Sequence, residues 1–170
     1  FGATGPKLFG VLPWAVPLLW IVALFNARGV SRLILRPWRK TRTYGFRLIG
    51  LTALLLAAFD FALEPFATRV KQFWFWPTTK VPISWQGTPV VDFASKIAVA
   101  VLILVFVTPL LINKQLSKRR PPDFHPVMIW AGALAMFAVG AGMQGLWVPV
   151  GVDAAIAVIT LVFAIRGARW

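Results

Sequence analysis

Residues 93 to 112 read FASKIAVAVLILVFVTPLLI, a run in which Lys96 carries the single charge. Twenty residues in helix rise about 30 Å, which matches the hydrocarbon thickness of a bilayer. The stretch is therefore read as a membrane span. Working outward, four more stretches read the same way, at about 8–25, 48–63, 127–147 and 150–165. Together they predict an all-α polytopic transmembrane helical bundle of about five helices, forming one domain over 1–170. Pro13 and Pro17 stand where they would kink the first span, and the Gly and Ala of the fourth permit close helix approach. Trp147-Val148-Pro149 separates the fourth span from the fifth.

Composition agrees. Hydrophobic residues make up 59% of 170 and the mean hydropathy is +0.76. A soluble domain this small has too high a surface-to-volume ratio to hide that much apolar surface. The net charge of +13 would suggest nucleic acid in a soluble protein. Here the positives fall between apolar runs, so the expected partner is membrane lipid and nucleic acid is not. Arg28, Arg32, Arg36, Arg39, Lys40, Arg42 and Arg47 follow the first span, Lys114, Lys118, Arg119 and Arg120 follow the third, and Arg166 and Arg169 end the chain. That places thirteen positives on one side against Lys7, Arg69, Lys71, Lys80 and Lys96 on the other. The positive-inside rule then puts the N-terminus outside and the C-terminus in the cytoplasm, with basic cytoplasmic loops at 26–47 and 113–126 and a Trp-rich non-cytoplasmic loop at 64–92. Val30 to Trp38 reads either as an interfacial amphipathic helix or as a solvated basic loop.

Few residues offer chemistry. Cysteine is absent, which excludes disulfides, thiolate metal sites and Cys nucleophiles, and one histidine makes no His-rich metal centre. The sequence has no phosphate loop, nucleophile elbow or metal-spaced motif, and no internal repeat, which leaves a transporter or channel a weak third option. Ionisable groups at membrane depth are costly and draw notice. Asp60 and Glu64 stand four apart, on one helix face near the outer surface, where paired carboxyls suit general acid chemistry. The plainer alternative ends the helix at Pro65, with Glu64 reaching water or pairing with Arg69. Asp92 and Lys96 repeat the spacing where the third span begins; Asp92 fits the positive end of a helix dipole, and Lys96 either snorkels outward or pairs with Asp92. Asp153 is read as an N-terminal cap of the fifth span, and His125 as a surface residue. Phe73-Trp74-Phe75-Trp76 and Trp85 serve either as interfacial anchors or as a cover over a cavity for a long apolar ligand.

The order Asp60-Phe61-Ala62-Leu63-Glu64-Pro65, then Phe73-Trp74, then Gly87-Thr88-Pro89-Val90-Val91-Asp92-Phe93, resembles the carotenoid biosynthesis family of membrane proteins that includes bisanhydrobacterioruberin hydratase. Lys7-Leu8-Phe9-Gly10 and Gly145-Leu146-Trp147-Val148-Pro149 extend the likeness over nearly the whole chain. Four positions depart from the pattern. Glu64 stands for the usual Asp, Trp85 for Tyr, Asp92 for Asn, and Ser95-Lys96 for Gly-Trp. Family members tend to carry further N-terminal helices, and Phe1 is not an initiator methionine, so the chain is read as processed, truncated or only partly built; upstream helices would favour the hydratase and a start near Phe1 a reduced structural subunit.

The resemblance implies water addition to the terminal double bond of an acyclic carotenoid, a lyase-class reaction that needs no cofactor. It implies Asp60, Glu64 and Asp92 as the catalytic acids. The substrate-binding residues would be Trp74, Trp76, Trp85, Gly87, Pro89, Phe93 and Trp147. The alternative is a non-catalytic transmembrane subunit of a photosynthetic or other pigment-protein complex that retains the fold. Either one belongs in a bacterial inner or photosynthetic membrane, with a carotenoid or other long apolar ligand as partner and further membrane subunits in the second case.

Overall fold

The computed structural model describes residues 6–10, 12–76, 83–111 and 121–170. Lys80, Lys114, Lys118, Arg119 and Arg120 lie outside them. Among the described residues five helices are long and apolar enough to cross a membrane, so the protein is an integral membrane protein. They are α1 (Ala15–Ile34), α2 (Tyr44–Pro65), α3 (Val90–Leu111), α4 (His125–Met143) and α5 (Trp147–Ala168). Two short hairpins sit at one end of the bundle. β1 (Lys7–Leu8) pairs with β2 (Leu12–Pro13) ahead of α1, and β3 (Ser84–Trp85) pairs with β4 (Thr88–Pro89) ahead of α3.

Helix bounds differ from the sequence reading in ways that have local causes. Pro13 precedes α1 and Pro17 lies in its first turn, where a missing N–H breaks no helical bond, so neither proline needs to kink it. The helix then runs through Arg28 to Ile34, and Arg28, Val30, Ser31 and Leu33 are buried. Val30–Ile34 is thus core helix, neither an interfacial helix nor a solvated loop, and a single 3-10 turn at Arg36–Trp38 follows. Likewise α5 begins at Trp147, with Pro149 in its first turn; the break between α4 and α5 is three residues that include Gly145 at φ +71°.

The second helix does not stop at Pro65. Proline lacks the N–H that the α pattern requires, and the chain passes it by widening into a π turn over Phe66–Val70, closed by the Lys71 N–H donating to the Phe66 carbonyl at 2.9 Å.

Lipid offers no hydrophobic drive between helices, so close packing and small residues hold them together. Gly167 of α5 lies directly against the backbone of Leu33 and Ile34 in α1. Gly29 of α1 abuts Pro126 of α4, and Gly140 of α4 abuts the Phe66 ring. The core is aliphatic and aromatic, with Phe59 between Trp130 and Phe137 at ring-centroid distances of 5.4 Å each. The most central helix is α2, while α3 packs on α2 and leaves most of its surface outward.

Candidate functional site

Where α2 meets the start of α3, three carboxylates converge on one ammonium. Asp60 and Glu64, one turn apart, face α3. Asp92 and Lys96, one turn apart in the first turns of α3, face back. Lys96 Nζ lies 3.1 and 3.0 Å from the two Asp60 oxygens and 2.8 Å from Glu64 Oε1, and it forms an ion pair with Asp92 as well. Its three N–H groups are therefore fully engaged. Glu64 is wholly buried and Asp60 is 2% exposed, while the side chains of Asp92 and Lys96 keep 16% and 22%.

The other Glu64 oxygen is held by the connection between α2 and α3. Trp74 Nε1 and Trp76 Nε1 each donate to Oε2 at 3.2 Å, and Thr88 Oγ1 donates at 3.1 Å. The hairpin delivers Thr88. Its two-residue turn, Gln86-Gly87, has positive φ at both positions (50° and 96°), the geometry that reverses two strands without splaying them. Trp85 stacks on Phe61 with centroids 4.2 Å apart and donates its Nε1–H to the Phe61 carbonyl at 3.0 Å. Phe93 packs on Phe61 and beneath Lys96, and Trp20 of α1 flanks the same ammonium at 5.7 Å.

Asp60, Glu64 and Asp92 thus come together, with Trp74 and Trp76 as donors to the buried glutamate. Gly87 and Pro89 shape the hairpin. Trp147, 72% exposed at the head of α5, stands apart from the cluster. Glu64 neither reaches water nor pairs with Arg69, and Lys96 turns inward instead of snorkelling. Asp153 sits in the second turn of α5, 1% exposed and without a hydrogen-bond partner, so it does not cap the helix. His125 is a surface residue that contacts Asp123 at 2.7 Å.

Sequence reasoning missed Lys96 as the hub, along with Thr88 and Trp20. Lys96 had a signal: a charge four residues beyond Asp92 inside an apolar run, one span away from another acid pair. Thr88 and Trp20 carried none, since only the hairpin and the crossing of α1 bring them in. The carboxylate oxygens lie within 4.8 Å of one another, a spacing that suits a metal ion although no motif announces it. Lys96 supplies the positive charge at that centre.

The acid cluster thus lies buried at one end of a mostly apolar helical bundle. No curated protein and no solved structure matches the chain. The family model described as carotenoid biosynthesis protein matches residues 2–161, nearly its whole length. The chain belongs to the carotenoid biosynthesis protein family.

Proposed function

We propose that the protein adds water to the terminal double bond of an acyclic carotenoid, with Asp60, Glu64 and Asp92 as its acid and base groups. One observation carries this reading: three carboxylates from two helices meet at one end of a mostly apolar bundle. Ionisable groups at membrane depth are costly to keep and mark function by default.

The chemistry is balanced without a redox partner. A carboxylic acid donates its proton to the less substituted alkene carbon, leaving a tertiary cation. The surrounding carboxylates stabilise that charge, water adds through oxygen, and its surplus proton returns to a carboxylate. Glu64 accepts from Lys96, Trp74, Trp76 and Thr88, which gives it the fixed electrostatic and orienting role. Asp60 and Asp92 are left to move protons, and Asp92 is the more accessible of the two. Lys96 touches the acids with all its donors and acts on the substrate through them.

The thirteen-to-five partition of Lys and Arg supports an N-terminus outside, a cytoplasmic C-terminus and a cluster on the non-cytoplasmic side of a bacterial inner or photosynthetic membrane. Expression of the full gene in cells that accumulate an acyclic carotenoid tests the activity. The expected product carries a tertiary hydroxyl, and Asp60→Asn with Glu64→Gln abolishes it. Intact product from that double variant overturns the assignment.

Lys96 itself favours a second reading. Its ammonium satisfies four carboxylate oxygens and clasps α2 to α3, a purely structural use of the cluster in a non-catalytic subunit that holds carotenoid within a pigment-protein complex. Co-purification with a large pigmented assembly, without hydrated product, supports this reading; a free product-forming monomer contradicts it.

A further inference from the structure

The acid cluster is closed on one side and open on another. Toward the helix ends Glu64 is roofed by Trp74, Trp76 and Thr88, and Trp85 lies over Phe61 beside it. The members that retain exposure are Asp92 and Lys96. Lys96 lines a groove of about 370 Å³ between α1 and α3, floored by Leu56 of α2. From Lys96 and Trp20 the groove passes Val99 to Leu24 and Ile103, about 10 Å of helix rise along α3. Apart from Ser95 and Lys96 its walls are apolar. Both α1 and α3 pack on α2 and barely meet each other, so the groove faces hydrocarbon.

We propose that this groove takes one end of a linear isoprenoid polyene directly from the bilayer, with the terminal unit at Ser95 and Lys96 beside the acid cluster and the rest of the chain leaving between α1 and α3 into lipid. The inference rests on the carotenoid reading above and adds the route, the register and the nature of the terminus. Charge selects the occupant. Lys96, the one charged side chain that lines the groove, has its N–H groups taken by Asp60, Glu64 and Asp92, so it offers a phospholipid or fatty-acid headgroup no free donor and leaves an uncharged terminus as the fit. Size selects the register. A volume of about 370 Å³ is at the small end of the roughly 300–1,000 Å³ that enclose a drug-sized ligand. A carotenoid therefore inserts one end at a time, and a symmetric one is handled in two separate binding events.

Two plugs test this. Val99→Trp and Ile103→Trp fill the groove from half-exposed positions that touch none of the acids, so the bundle tolerates them. Val158→Trp, on the outward face of α5, is the control. The full-length protein in phosphatidylcholine nanodiscs is titrated with lycopene, and quenching of tryptophan fluorescence reports binding. Saturable binding is expected from the native chain and the control, weakened about tenfold or more in both plugs. Unchanged affinity in both plugs overturns the inference, as does displacement of lycopene by an anionic phospholipid. Binding by the native chain without any hydrated product, and lost in the plugs, sinks the hydratase reading and leaves the groove standing. Product formed equally by the native chain and both plugs sinks the groove and leaves the reaction.

Discussion

Lys96 holds one positive charge among three carboxylates inside a membrane bundle, and removing it leaves buried acids without their partner. Breaking a buried ion pair from one side costs about 3–5 kcal/mol, whereas replacing all members by neutral groups of similar shape is far cheaper. Lys96→Met is thus expected to lower the thermal midpoint in detergent sharply. Adding Asp60→Asn, Glu64→Gln and Asp92→Asn should recover most of the loss; a full-strength Lys96→Met protein would show that the ion pairs do not clasp the helices. Thr88→Val removes one donor from buried Glu64 and should cost about 1–3 kcal/mol by the same measurement. At the opposite end, the hydrogen bond from His125 holds the Asp123 carboxyl below its usual range. A depressed folded value means that its stabilisation is present at neutral pH and is lost as pH falls below the ordinary aspartate range. The effect is small because the pair is exposed, and Asp123→Asn should flatten that acid limb. At this scale the sequence was half legible. Asp60 and Glu64 announced themselves as acids at membrane depth, whereas Asp92 read as a helix-dipole residue apart from the family resemblance, and Lys96 stayed open between snorkelling and the pairing with Asp92 that the structure has, because a lysine's long stem reaches water as readily as an ion pair.

The helices were legible where length and hydropathy decide, since 93–112 and 150–165 each hold a single charge, Lys96 and Asp153, near the start of an otherwise apolar run. Their ends were not. Arg28 and Arg32 read as loop residues, yet α1 carries both inside its last turns, because a basic side chain near a membrane boundary does not by itself stop a helix. Pro65 read as a terminator, yet a π turn absorbs it and keeps the chain winding to Val70. Close approach also depends on positions that composition cannot rank. Gly167 faces the backbone of Leu33 and Ile34, whereas Gly132 faces open space. Gly167→Leu should therefore prise α1 from α5 at a cost of about 1–3 kcal/mol or more, while Gly132→Leu stays within roughly 0.5 kcal/mol of the native protein. Equal thermal midpoints for the two variants would contradict the packing described.

Over the whole molecule, alternation of five helices puts the acid cluster at one end and Arg36–Arg47, Arg166 and Arg169 at the other. The chain has no cysteine, so single cysteines report sidedness cleanly. Gln72→Cys should react with an impermeant thiol reagent from outside intact cells, and Lys40→Cys only after permeabilisation; the reverse pattern inverts the topology. Membrane class and family were legible in the sequence through the order of its motifs. The groove between α1 and α3 was not, because it arises from two helices that share a neighbour and leave a gap between themselves. The most direct test of the reaction uses purified full-length protein in bilayers, an acyclic carotenoid and water labelled with heavy oxygen, followed by mass spectrometry. The account predicts a carotenoid heavier by one labelled water from the native chain and none from Asp60→Asn with Glu64→Gln. Labelled product from the double variant, or none from the native chain with carotenoid bound, would contradict it.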